Sequence, residues 1–270
     1  LSMVGARAPE HLKHDAPLTS DIGGLATPVS RTFQVSESAD RLAQTGLDAL
    51  AASLHYPGSI STFVVPADHA WTDIAPSSYQ LPETQTISVT DDTITEIGNQ
   101  LKAADNSCLF LGGHALRAEA LHQAGRIAAA TGCRLVTETF FARQARGVGR
   151  VATERLAYFG EAAIEQLAGI DLMVLVGAKA PVSFFAYPNK PSVLAPQSAT
   201  ELTSADAESD ALDALTTLAE HLGAQDHPVV IRESAQYPLG EGRIDASELG
   251  QGIAKRLPEN ALVCDEGASH

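Results

Sequence analysis

No apolar run in this chain approaches the ~20 consecutive residues that cross a bilayer, so no segment reads as a membrane span. The opening LSMVGARAPEHLKHD has a short apolar start followed by polar residues, and lacks the pattern of a secretory signal. It begins with Leu and not Met, which places the expected true N-terminus upstream. Basic residues are scarce: 18 Lys and Arg stand against 33 Asp and Glu, for a formal net charge of −15. A nucleic acid or an anionic membrane needs a basic face to neutralise its phosphates, so this balance argues against both partners. A solvated cytoplasmic protein is expected. Cysteine is sparse and odd in number. Cys108, Cys133 and Cys264 each sit in an apolar run and read as buried free thiols, not as a disulfide, a metal site or a nucleophile. The chain also lacks G-x-x-x-x-G-K-[ST], G-x-S-x-G, H-E-x-x-H and paired C-x-x-C, which removes the usual phosphate, hydrolase and metal signatures. His11, His14, Asp15 and Asp21 cluster in HLKHDAPLTSDIGG, but their spacing matches no standard metal site, and a solvated polar loop is expected.

What is present is ordinary globular composition, 44% hydrophobic and 19% charged over 270 residues, enough for one large domain or two ordinary ones. Short apolar runs alternate with helix-like stretches, which predicts an α/β fold with parallel sheets. Strands are expected at STFVVP (61–66), SCLFLGG (107–113), CRLVTET (133–139), DLMVLVGA (171–178), HPVVIRE (227–233) and ALVCDE (261–266). VLVGA is apolar throughout, as a strand covered on both faces should be. Helices are expected over 38–54, 93–104, 118–132, 160–170, 209–223 and 245–258, with Ser38 and Ser209 as caps and Gly132, Gly223 and Pro258 as stops. Two segments break the alternation. Residues 72–91 carry Pro76 and Pro82 among Ser and Thr and read as a linker, and residues 224–244 end in a Pro- and Gly-rich turn. The expected organisation is therefore a front piece 1–80, a linker 81–91, a complete Rossmann-like domain 92–224 and a tail 225–270. Front and tail have too few strands to bury both faces of a parallel sheet alone.

Three stretches are candidates for chemistry. LGGHALRAEA (111–120) sets two glycines between a strand and a helix, where an open α/β sheet can hold phosphate. A tight turn with a surface His114 is the plainer reading. In VGAKAPVSFFAYPNKP (176–191) a buried strand ends in Gly177 and runs into a loop with Phe184, Phe185 and Tyr187. Those rings either line an apolar substrate pocket or anchor a long loop. In DEGASH, Asp265 and Glu266 follow an apolar run: a carboxylate there is desolvated unless paired, which makes it a site candidate, or it caps the helix expected to follow.

Taken in order, VGARAPEHLKHDAPLTSDIGGLATPVSRT, PGSISTFVVPADHAW, LFLGG, LVGAKAPVSFFAYPNKPSVLAP and LPENALVCDEGASH resemble thiamin diphosphate-dependent enzymes. The group is that of the acetolactate synthase large subunit, with benzoylformate decarboxylase nearby. The resemblance covers the whole chain. It implies that 1–80 is the C-terminal half of a pyrimidine-binding domain, 92–224 a complete central domain and 225–270 a linker with the start of a diphosphate-binding domain, so that the chain is an internal fragment. It implies decarboxylation of a 2-oxo acid to an enamine, then carboligation or aldehyde release. The cofactors implied are thiamin diphosphate and Mg2+, and FAD in the central domain stays an open reading without motif support. The activating glutamate is then expected upstream of Leu1 and the metal motif beyond His270, leaving no metal ligand and no activity in the fragment alone. The cofactor-binding residues implied are Glu266, Gly267, Ala268, Ser269 and His270, of which Glu266 and His270 match the family pattern by type. Phe184 and Phe185 are the implied substrate pocket. The partners implied are a small 2-oxo acid and a second copy, in a homodimer or homotetramer.

Departures bear on substrate. Acetolactate synthases have Asp-Ala-Phe-Gln where this chain has Asp15, Ala16, Pro17 and Leu18, and Pro-Lys-Asp where it has Pro66, Ala67 and Asp68. They carry an arginine near Ser183, and the benzoylformate decarboxylase histidine falls near Phe185. A decarboxylase of benzoylformate type and a non-catalytic nucleotide-binding α/β protein are the alternatives.

Overall fold

A computed structural model describes residues 1–83, 86–186, 188–234 and 245–265, apart from the side chain of Ser247. The chain separates into two compact units, Leu1–Ser88 with Glu208–Asp210, and the remainder from Val89 onward.

In the first unit, β1 (Ser2–Ala6), β2 (Thr32–Val35) and β3 (Ser61–Pro66) form a parallel sheet in the order β1-β3-β2. The central place of β3 follows from its composition: STFVVP is the most apolar of the three, and Phe63 and Val64 are buried. Its buried hydroxyls are paired, Thr62 with Ser30 at 2.7 Å and Ser61 with Thr32 at 2.7 Å, which removes the cost of unsatisfied polar atoms. Helix α1 (Pro9–Leu12) and α2 (Ile22–Ala26) follow β1, and Asp21 accepts the Gly24 N–H at 2.8 Å as the cap of α2. Helix α3 (Ala39–Leu54) packs on β3 and approaches it at Gly46, where a Cβ would lie 3.2 Å from the Phe63 ring. The predicted side-chain cap at Ser38 does not form. Helix α4 (Ala67–Trp71) continues directly from β3.

The second unit opens with α5 (Asp91–Ala103), capped by Thr90 and carrying Asp91 and Asp92 in its first turn, where acids suit the positive end of a helix. It continues through β4 (Ser107–Leu111), α6 (Ala118–Thr131), β5 (Arg134–Thr137), β6 (Glu154–Arg155), α7 (Gly160–Leu167), β7 (Leu172–Val176), β8 (Thr200–Ala205) and α8 (Ala211–His221). All strand pairs are parallel, in the order β6-β5-β4-β7-β8. From β4 the chain winds outward through β5 and β6; it returns to β7 on the other side of β4 and winds the opposite way. The switch point therefore lies between β4 and β7.

Both faces of this sheet are covered. On β4, Leu109 and Leu111 face a core built with Ile94, Ile97 and Leu101 of α5, Leu121 and Ile127 of α6 and Leu215 and Leu218 of α8. Cys108 and Phe110 face the other way, onto Met173, Ala163, Leu167 and Leu194. This two-sided cover is why LFL and VLV are continuous apolar runs and not alternating ones. Gly132 ends α6 in the left-handed conformation, φ 77°.

Several expectations are corrected. HPVVIRE forms no strand of a sheet. It lies extended, with one antiparallel bridge between Ile231 and Val151, and Gly125 of α6 gives Val229 the room to pack. ALVCDE has no described strand beside it; Leu262 and Val263 are exposed, as is Cys264, so that thiol is not buried. The last described helix, α9 (Ala246–Ala254), starts where Asp245 accepts the Glu248 N–H at 2.8 Å and ends short of Pro258. Strands β1, β2, β6 and β8 were not among the expected ones.

Candidate functional site

In an open parallel sheet the ligand crevice lies beyond the carboxyl ends of the strands, at the switch point. Here that edge belongs to the second unit, and its chemistry comes from the loops after β4, β5, β6 and β7.

At the floor of the switch point, the backbones of Gly112 and Gly177 meet. A Cβ on Gly112 would fall 2.8 Å from the Gly177 carbonyl oxygen, and one on Gly177 would fall 2.7 Å from that of Gly112. Gly177 also has φ 64°, a conformation that side chains disfavour. Gly112 donates to Val176 at 3.0 Å and Gly177 to Ala205 at 2.8 Å, so both amides are committed to the strand ends. Glu138, the first residue after β5, lies over Gly112: the same Cβ would meet its Oε2 at 2.5 Å and its Cδ at 2.7 Å. Burial pushes the Glu138 carboxyl up from its ordinary value, against the opposing pull of the Lys179 N–H that it accepts and of the Lys179 charge. At Arg117, just before α6, Nη1 is buried without a hydrogen-bond partner, and the Ser204 hydroxyl on β8 is likewise unpaired.

Further along the same edge stands a group of aromatic rings from three loops. Phe184 is its hub, 5.5 Å from Phe140, 5.7 Å from Tyr158 and 4.7 Å from Phe185 between centroids. Tyr158 in turn contacts Phe140 at 5.8 Å and Phe159 at 5.2 Å. Tilted and edge-to-face pairs of this kind add about 0.5–1.5 kcal/mol each beyond burial. The loop holding Phe184 and Phe185 is closed on itself by Ser183 N–H to Ser192 O at 2.7 Å and Leu194 N–H to Pro181 O at 3.1 Å. Lys190 pairs with Glu161 of α7 at 2.9 Å. Yet Phe184 and Phe185 remain 61% and 51% exposed, so the rings offer an open apolar surface at the ligand edge of the sheet.

Of the residues singled out by sequence, Phe184 and Phe185 are thus brought together, with Phe140, Tyr158 and Phe159 as unforeseen neighbours. Nothing local in the sequence joins those five. Glu138 was also missed, although an acid following the second strand after a glycine turn is a readable signal. Asp265 is not a desolvated carboxylate; it is 55% exposed and stands 4.0 Å from Arg155. Glu266, Gly267, Ala268, Ser269, His270 and Tyr187 lie outside the described residues. Among the described residues no group of three or more His, Cys, Asp or Glu is placed to hold a metal ion. Burial pushes the thiols of Cys108 and Cys133 up to about 12 and about 11, so neither is a nucleophile at neutral pH.

No family model matches the chain. It is 38% identical over 268 residues, 98% of its length, to a Mycobacterium tuberculosis protein provisionally named acetolactate synthase large subunit IlvX. It spans 50% of that relative, about half its length. Among solved structures, a provisionally assigned thiamin diphosphate-dependent enzyme from Mycobacterium smegmatis superposes with a TM-score of 0.75 at 16% identity, over 96% of this chain and 53% of that one. The thiamin diphosphate-dependent 4-hydroxybenzoylformate decarboxylase of Rhodococcus jostii RHA1 gives 0.69 at 17% identity, over 96% and 53%. Identities this low carry the fold alone. The α/β parallel-sheet class and the resemblance to acetolactate synthase large-subunit-like sequences are borne out.

Proposed function

We propose that this chain is part of a thiamin diphosphate-dependent enzyme that acts on a 2-oxo acid, of the acetolactate synthase large-subunit-like type. The observation that carries this reading is the 38% identity running through 98% of the chain, across both compact units. In this reading residues 1–80 belong to a pyrimidine-binding domain, 92–224 form the central domain and 225–270 lead into a diphosphate-binding domain. Thiamin diphosphate, when bound, supplies a carbanion nucleophile and an electron sink, chemistry that no protein side chain offers. Among the described residues no group of three or more His, Cys, Asp or Glu is placed to hold a Mg2+ ion. Glu266 to His270 remain the cofactor-loop candidates, and Mg2+, a cytoplasmic location and a homodimer or homotetramer are part of the same proposal.

What the described residues contribute is an apolar lining. The rings of Phe184, Phe185, Phe140 and Tyr158 present a partly exposed apolar surface at the edge of the sheet, which suits the side chain of an oxo acid. That lining favours a second reading: a decarboxylase for 2-oxo acids with bulky apolar side chains, releasing an aldehyde. Ser183, where synthases carry an arginine, fits it as well.

The test is a panel of 2-oxo acids given to the full-length protein with thiamin diphosphate and Mg2+, reading CO2 and products. Acetolactate from pyruvate supports the synthase, and aldehyde from an aryl oxo acid supports the decarboxylase. Cofactor-independent turnover, or none with any oxo acid, refutes both.

A further inference from the structure

A dinucleotide enters a switch-point crevice under three conditions. Glycine must let its pyrophosphate approach the backbone, a helix N-terminus must face it, and an acid on the next strand must be free to reach its ribose. In this unit each of the three is already engaged. Gly112 and Gly177 use their missing side chains to pack on each other. The Gly112 carbonyl accepts the Ala115 N–H at 3.0 Å, and a 3-10 turn, Gly113–Leu116, with Ala115 and Leu116 fully buried, separates the glycines from α6. The first turn of α6 carries Glu119, a charge that repels phosphate. Glu138, the acid at the ribose position, is folded back over Gly112 and accepts the Lys179 amide.

We propose that Glu138 is a plug: its side chain bridges the ends of β5, β4 and β7 and closes the crevice to dinucleotides, flavins included. The chain's own residues therefore do not fit the FAD that the resemblance left open. The proposal is independent of the thiamin diphosphate reading, since it concerns a different ligand. With the plug removed, the charge of Lys179, which now acts on the Glu138 carboxyl, is left to attract an anionic ligand.

The experiment is titration calorimetry of FAD and of ADP into the full-length protein and two variants, Glu138→Ala and Glu138→Gln. The unsubstituted protein and Glu138→Gln, which keeps the shape and the acceptor, are expected to bind neither ligand more tightly than ~1 mM. Glu138→Ala is expected to gain at least ~10-fold. Binding by the unsubstituted protein at or below ~0.1 mM overturns the plug. Failure of a folded Glu138→Ala to gain affinity also overturns it, because something else would then exclude the ligand. Binding by Glu138→Gln overturns the steric account. Should Glu138→Ala not fold, hydrogen exchange on the unsubstituted protein decides: a protected Lys179 amide is expected, and exchange at the open-chain rate refutes the bridge.

Discussion

The contact between Gly112 and Gly177 predicts an ordered series of stabilities when methyl groups are added at the second unit's glycines. Gly169 has φ 79° and open space where a Cβ would go, so Gly169→Ala meets only the backbone penalty, about 1–2 kcal/mol. Gly112 has an ordinary extended backbone, φ −143°, but its Cβ would stand 2.5 Å from Glu138 Oε2 and 2.8 Å from Gly177 O. Gly112→Ala therefore meets only the packing penalty, about 1–3 kcal/mol for overfilling a tight site. Gly177→Ala meets both, φ 64° and a carbonyl oxygen at 2.7 Å, and should cost about 3–4 kcal/mol. Urea unfolding followed by far-UV circular dichroism reads the series. With m near ~2 kcal/mol/M, Gly177→Ala should lower the midpoint by more than ~1 M and Gly169→Ala by about half as much. Because residues 112 and 177 touch, the double variant should cost less than the sum of the singles. A Gly177→Ala protein no less stable than Gly169→Ala would refute the close backbone contact, and with it the floor on which the Glu138 bridge rests.

Other consequences are simpler to read. A thiol reagent at neutral pH should modify Cys264 at once and Cys108 and Cys133 only on unfolding; fast labelling of more than one thiol contradicts the burial of the other two. Glu154 bonds Arg134 at 2.5 and 3.1 Å, and the guanidinium holds its carboxyl below the ordinary 4.5. The stabilisation is present above that value and lost as pH falls through the lowered one, so Glu154→Gln should flatten acid unfolding and cost only about 0.5–1 kcal/mol at pH 7, the pair being half-exposed. On α5, a methyl at Gly98 would strike the His221 ring of α8, so Gly98→Ala should destabilise by about 1 kcal/mol despite better helix propensity. Adding His221→Ala should reverse that loss, and no recovery would refute the helix contact.

The strands that were legible in the sequence are those buried on both faces. STFVVP, SCLFL, RLVT and LMVLV are short apolar runs set between helices, a trace that the less apolar strands do not leave. Strand β8, TELTSA, is an edge strand with its first residues exposed, so its composition reads as loop. β6 is two residues held by the Arg134–Glu154 pair, and β1 contains Gly5 and small residues at the edge of a sheet. HPVVIRE and ALVCDE show the opposite failure. Apolar residues there imply a strand, but the one packs by Val229 on Gly125 and the other has no described neighbour. At the site, Phe184 and Phe185 were visible because a glycine ends the strand before them. Their partners Phe140, Tyr158 and Phe159 come from loops dozens of residues away, which only strand order brings together. Glu138 read as the end of a strand, and its contact with Gly112 depends on β5 lying beside β4.

The central claim is that this chain serves a cofactor-dependent enzyme, and titration calorimetry of thiamin diphosphate into the full-length protein with Mg2+ tests it most directly. Saturable binding that disappears when Mg2+ is chelated is the predicted result. No binding under those conditions would contradict the assignment, whatever the fold.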